Sequence, residues 1–178
     1  MERADSSSPV RHVLPDLLQP GLRLVFCGTA VGDESARRRS YYAGPGNKFW
    51  RILAEVGLTD RLLKPAEYAR LLDFGIGLTD LVKTTHGPDR GLSQSDFDVV
   101  GLVDRIAVVS PKVLAFNGIT AARQFLGLAK KDVVVPGRRV EQLGRTLIYV
   151  LPSTAGTASG YWSAEPWSAL AADLSSIQ

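Results

Sequence analysis

Asp80 sits in the stretch GLTDLV, flanked by Leu78, Leu81 and Val82. A carboxylate in so apolar a setting either caps a neighbouring backbone or acts on a water molecule. Asp96 and Asp98 stand where an amphipathic helix begins and read first as helix caps, with Asp98 kept as the alternative acid should Asp80 be the one that caps. His12 and His86 lack Cys, His or carboxylate partners at ligand spacing, so no metal site is expected. No G-x-S-x-G occurs, which argues against a serine hydrolase.

Several stretches could shape a pocket by backbone rather than by side chain. Gly28, Thr29, Ala30, Val31 and Gly32 follow an apolar run, and a turn there can bring N–H groups together on a ligand oxygen. The stretch lacks the Gly-Lys-Ser/Thr of a P-loop and the glycine spacing of a dinucleotide fingerprint, so no nucleotide cofactor is expected. Residues 152–160, PSTAGTASG, are small and hydroxyl-rich and let backbone approach a nucleic-acid strand closely. Asn117 and Gly118 precede a helix whose N-terminus favours a phosphate. Tyr41 and Tyr42 lie in a Gly-Pro-Gly loop off any periodic apolar face, so at least one is a candidate platform for a planar base. Phe49 and Trp50 fall at helical spacing and belong to the core.

Elements that position these residues follow from apolar periodicity. Strands are expected over 23–28, 77–82, 112–118 and 146–152. Helices are expected over 47–57, capped by Asn47 and stopped by Gly57, then over 64–75, 95–110, 119–127 and 165–176. Short strands alternating with helices imply right-handed crossovers and an α/β fold: a three-layer α/β/α sandwich around a central, mainly parallel sheet. Ligands bind beyond the carboxyl ends of such strands, so the loops after Gly28, Val82, Gly118 and Pro152 should share one rim.

The chain has 178 residues, 45% of them apolar, and contains no apolar run near the eighteen needed to span a bilayer. Residues 1–12 are expected to form a flexible tail and residues 13–178 a single domain. A lone Cys27 and a start without an apolar signal core fit the cytoplasm. Net charge is +3, and Arg37, Arg38, Arg39, Lys48 and Arg51 cluster locally, as suits a polyanionic partner.

PGLRLVFCGTAVG, YYAGPGNKFW, LTDLVK, FNG and YVLPSTAGTASGYW, in that order, resemble the motifs of the uracil-DNA glycosylase superfamily, most closely its mismatch-specific uracil/thymine branch. The resemblance runs from about Val13 to Leu174. It implies a DNA repair enzyme, a monomer without metal or cofactor, that flips a deaminated base out of DNA and hydrolyses its N-glycosidic bond. Uracil opposite guanine is the foremost substrate, with thymine, hypoxanthine and etheno-adducts open. On this basis Gly28, Thr29, Ala30, Tyr42 and Asn47 bind the extruded base, with Tyr42 stacking on it. Lys48, Asn117, Gly118, Ser153, Thr154 and Ala155 contact DNA, and Gly156, Thr157 and Ala158 enter the vacated space. One departure stands out: Ala30 replaces the asparagine that positions water in the family. Asp80 is expected to take over, ionised at neutral pH. The alternative is a non-catalytic protein of the same fold that binds mismatches or abasic sites.

Overall fold

The computed structural model describes residues 11–177; the expected tail falls mostly on residues 1–10, outside the described residues. Five strands, β1 (Leu24–Val31), β2 (Ile76–His86), β3 (Val113–Asn117), β4 (Gly137–Leu143) and β5 (Thr146–Leu151), form one sheet in the order β2-β1-β3-β5-β4. All pairings are parallel except that of β4 with β5. The expected α/β sandwich is therefore observed. β1 and β3 are buried on both faces, as central parallel strands with helices on either side must be.

Helices α2 (Phe49–Glu55) and α5 (Glu165–Ser176) cover one face, where Phe49, Ile52, Leu53, Trp167 and Leu170 pack on Leu24, Phe26, Leu78 and Tyr149. Helices α3 (Val99–Val109) and α4 (Ile119–Phe125) cover the other with Leu102, Ile106, Ala121 and Ala122 against Val25, Leu114 and Val150. The N-cap of α2 is Lys48 rather than the expected Asn47, whose side chain, one residue earlier, accepts the Phe49 N–H at 3.0 Å; Gly57, at φ +74°, follows its C-terminus. Asp98 caps α3 by accepting the Gly101 N–H at 2.9 Å. Among the described residues no helix is long and apolar enough to cross a membrane.

Four further local expectations are corrected. Gly28 to Gly32 is no turn: β1 continues to Val31, because Gly28 and Ala30 still pair with Asp80 and Val82. β2 outlasts Val82 by four residues, so Asp80 stands mid-strand rather than at a strand end. Its outer half is held by β1 across a bulge and by the Val13 N–H bonded to the Lys83 carbonyl. Residues 65–74 form a 3-10 segment rather than an α-helix. The strand β4 and a short helix α1 (Asp33–Arg38), which intervenes before the tyrosine loop, were not expected. That loop is anchored: the Tyr41 hydroxyl donates to the Pro15 carbonyl at 3.0 Å and Trp50 Nε1 donates to the Tyr41 carbonyl at 3.1 Å.

Candidate active site

β1 pairs with β3 only as far as Cys27, while on its other side it stays with β2 beyond Gly28. The strands part at the carboxyl end, and there a cavity of about 1000 Å³ opens, where α/β sheets place their ligands. Its wall comes from β1 and α1, the 41–47 loop, the 87–89 turn, the 117–120 corner and the 152–158 loop, with Asp80 among its lining residues. The sharing of one rim is as expected, although two departure points move, to Val31 and His86.

Asp80 and Tyr42 meet over Gly28. A methyl group built on Gly28 would lie 2.5 Å from Asp80 Oδ1 and 3.3 Å from the Tyr42 hydroxyl oxygen. The absence of a Cβ makes room for the acid. Asp80 is 2% exposed, and burial, the largest influence, pushes its carboxyl up to about 7; Lys83 and Arg105 pull it down and Asp16 raises it. The acid is thus about half ionised at neutral pH, not fully ionised as expected from the sequence, because it is removed from water.

Tyr42 takes a left-handed backbone, φ +53°, which costs a non-glycine residue about 1–2 kcal/mol. The strained geometry seats its ring against Phe49, centroids 3.9 Å apart and planes 28° apart, and sends its hydroxyl towards Asp80. Burial and then the Asp80 charge hold that hydroxyl protonated, with Asn117 opposing weakly. Asn117 makes no hydrogen bond of ordinary geometry to it. Tyr42 Oη and Asp80 Oδ2 are both buried without a hydrogen-bond partner among the described residues. Buried polar atoms are almost always satisfied, so two orphans on residues that line the cavity mark polar groups that packing alone does not call for.

The remaining residues singled out from the sequence divide. Thr29, Ala30, Asn47, Gly118, Ser153, Thr154, Ala155, Gly156, Thr157 and Ala158 all line the cavity. Asn117 lines it too, but its amide is engaged: Nδ2 donates to Thr154 Oγ1 at 2.8 Å and Oδ1 accepts the Thr154 N–H at 3.0 Å, which latches the 152–158 loop to β3. Lys48 does not line the cavity; Nζ donates to Ser159 Oγ at 2.8 Å and lies 5.5 Å from the Trp162 ring centre. Asp98 is occupied by its cap and by Arg105. Among the described residues no three His, Cys, Asp or Glu side chains gather as metal ligands would.

Sequence reasoning missed the rim residues Asp89 and Tyr161. Thr29 Oγ1 donates to Asp89 Oδ2 at 3.5 Å, and Tyr161, 91% exposed, lines the cavity from the 3-10 turn Gly156–Tyr161. The GYW triplet closing the small-residue loop was the available signal for Tyr161.

A family model described as the uracil DNA glycosylase superfamily matches residues 15–173. The chain is also similar to a solution NMR structure from Methanosarcina acetivorans described as a candidate uracil DNA glycosylase. The two are 23% identical with a TM-score of 0.59, over 93% of this chain and 98% of that one; at that identity the likeness concerns the fold alone.

Proposed function

The chain belongs to the uracil-DNA glycosylase superfamily, and on that premise we propose that it flips uracil out of DNA and hydrolyses the bond joining the base to deoxyribose, leaving an abasic site. The observation that carries this reading is a buried acid and a tyrosine, Asp80 and Tyr42, that meet over Gly28, line the cavity and each keep a polar atom without a hydrogen-bond partner. Order and spacing of the motifs support the mismatch-specific branch and a preference for G·U, since extrusion costs a few kcal/mol and least at a mispair.

Cleavage builds positive charge on the sugar and negative charge on the departing pyrimidine. The ionised Asp80 carboxylate stabilises the first, orients water and accepts its proton, work worth roughly 10²–10⁴-fold in rate. Past Cys27, β1 has β2 as a sheet partner but not β3, which leaves its β3-facing edge around Thr29 to bind the pyrimidine oxygens, while the Val31 carbonyl is taken by the Gly87 N–H. A well-aimed donor contributes about 3–4 kcal/mol in comparable oxyanion sites. Ala30 has no side chain with which to hold water, so the full burden falls on Asp80.

An end-labelled duplex with one G·U pair, incubated with the protein and then treated with alkali, tests the proposal. Strand scission at the uracil is expected. Ala30 is the one feature that favours a binder instead, and retention of the duplex without scission would establish that reading in its place.

Tyr42→Ala removes the ring against which the base packs, together with its stacking on Phe49. Its apparent affinity for uracil DNA in single-turnover titrations is expected to fall by roughly 10–100-fold, the equivalent of about 1–3 kcal/mol of base stacking. An unchanged affinity and rate would remove Tyr42 from the base site.

A further inference from the structure

A cluster of charge stands behind Asp80, on the opposite face of β2. Thr79, Leu81 and Lys83 alternate with Asp80 along the strand and so face α3. Lys83, 3% exposed, donates Nζ to Asp16 Oδ1 at 2.6 Å and to the Leu14 carbonyl at 3.1 Å. Thr79 Oγ1 donates to the same Asp16 oxygen at 2.8 Å. Arg105, from α3, donates Nη2 to the main-chain carbonyl of Asp80 at 3.2 Å and Nη1 to Asp98 at 3.1 Å. Its Nε lies 3.4 Å from Asp16 Oδ2 and is buried without a hydrogen bond. Two cations and two acids, Asp16 and the more exposed Asp98, thus join the 14–16 segment, β2 and α3 around Asp80.

Stability alone does not account for such a cluster, because buried ion pairs are often replaced by apolar packing without loss. Nor does it touch the cavity, so it does not bind the base. We propose that Arg105 is a positioning residue for Asp80: its bond to the Asp80 carbonyl fixes where the carboxylate stands, and its charge, with that of Lys83, keeps the carboxylate able to ionise inside the protein. The inference rests on the excision reading above.

Around Asp80, β1 offers the Cys27 thiol and the 41–42 loop two phenols, all held neutral by burial. β2 offers Lys83, α3 offers Arg105, and the N-terminal segment offers Asp16. Only the last three carry charge, and they act with opposite signs: the cations lower the carboxyl and Asp16 raises it.

Two charge-removing variants therefore shift the acid limb of activity in opposite directions. Arg105→Gln should move the midpoint of the single-turnover pH–rate profile upward by about half a pH unit or more, with a rate deficit that shrinks as pH rises. Arg105→Lys should return the midpoint towards wild type. Asp16→Asn, which keeps an oxygen for Thr79 and Lys83, should move it downward. The same midpoints are read in the DNA-free protein from the Asp80 carboxyl carbon by NMR titration. Midpoints unmoved in Arg105→Gln and Asp16→Asn, or a rate lowered by one factor at every pH, would overturn the proposal and leave the cluster a purely structural one. Should Arg105→Gln fail to fold, Asp16→Asn decides alone. If wild-type protein releases no uracil, the excision reading falls, and the NMR titration still judges this inference.

Discussion

Asp80→Asn is expected to slow single-turnover uracil release by roughly 10²–10⁴-fold and, at pH 8, to raise the melting temperature. Both effects come from one cause. The carboxyl is buried and titrates near 7 in the fold, against an ordinary value of 3.8. Between those values the native state binds the proton that the unfolded chain has released, so stability falls as pH rises. Below about pH 4 both states are protonated and the carboxyl costs nothing; above 7 the full cost is present. At about 1.4 kcal/mol per pKa unit, ionising this buried group costs the fold on the order of 4 kcal/mol. Asparagine cannot ionise, so the variant's advantage should be largest at pH 8 and vanish towards pH 4. The wild-type rate should climb with pH and level off above about 7, as the active carboxylate form fills. Excision within a few-fold of wild type would displace Asp80 from catalysis, and a lower melting temperature at pH 8 would show that its burial is not the strain inferred.

The burial of Asp80 was legible from its apolar neighbours, while its place in the strand was not. A reader of GLTDLV sees a strand ending near Val82, whereas the end of β2 is fixed by pairing with β1 and with the 13–17 segment, partners about 50 and 65 residues distant in sequence. The same applies to Arg105. On α3 it sits beside Asp104 as one of two ordinary polar residues, and only the packing of α3 against β2 turns it to the Asp80 carbonyl while Asp104 stays exposed. Tyr41 and Tyr42 are equivalent as letters; in the fold the Tyr41 hydroxyl is tied to the Pro15 carbonyl, while the left-handed turn at Tyr42 brings its hydroxyl to Gly28 and Asp80. β4 escaped notice because GRRVEQL is a charged edge strand with one face in water, which leaves little apolar alternation to detect. What periodicity did carry, the parallel core strands and the helices that cover them, was enough to bring the glycine, tyrosine and small-residue loops to one rim.

Gly28→Ala should fold and yet lose roughly 10²-fold in excision rate, the scale of loss from displacing a catalytic group by about 1 Å. The added methyl group would stand 2.5 Å from Asp80 Oδ1, closer than real carbon–oxygen contacts allow. The atom it meets is the free end of a side chain, so the carboxylate yields and the strand does not; Gly28 needs no left-handed backbone that alanine would resist. The carboxylate then moves from its place in the cavity lining and away from the Tyr42 hydroxyl, which the methyl group crowds at 3.3 Å. If room for Asp80 is the reason for the glycine, the two substitutions must not add: Gly28→Ala placed on Asp80→Asn should cost little further activity, since the group it displaces no longer acts. Single-turnover rates for the wild type, both single variants and the double variant measure this directly. Additive losses, or a Gly28→Ala enzyme as fast as wild type, would separate the glycine from the acid and leave the architecture of the site without its stated reason.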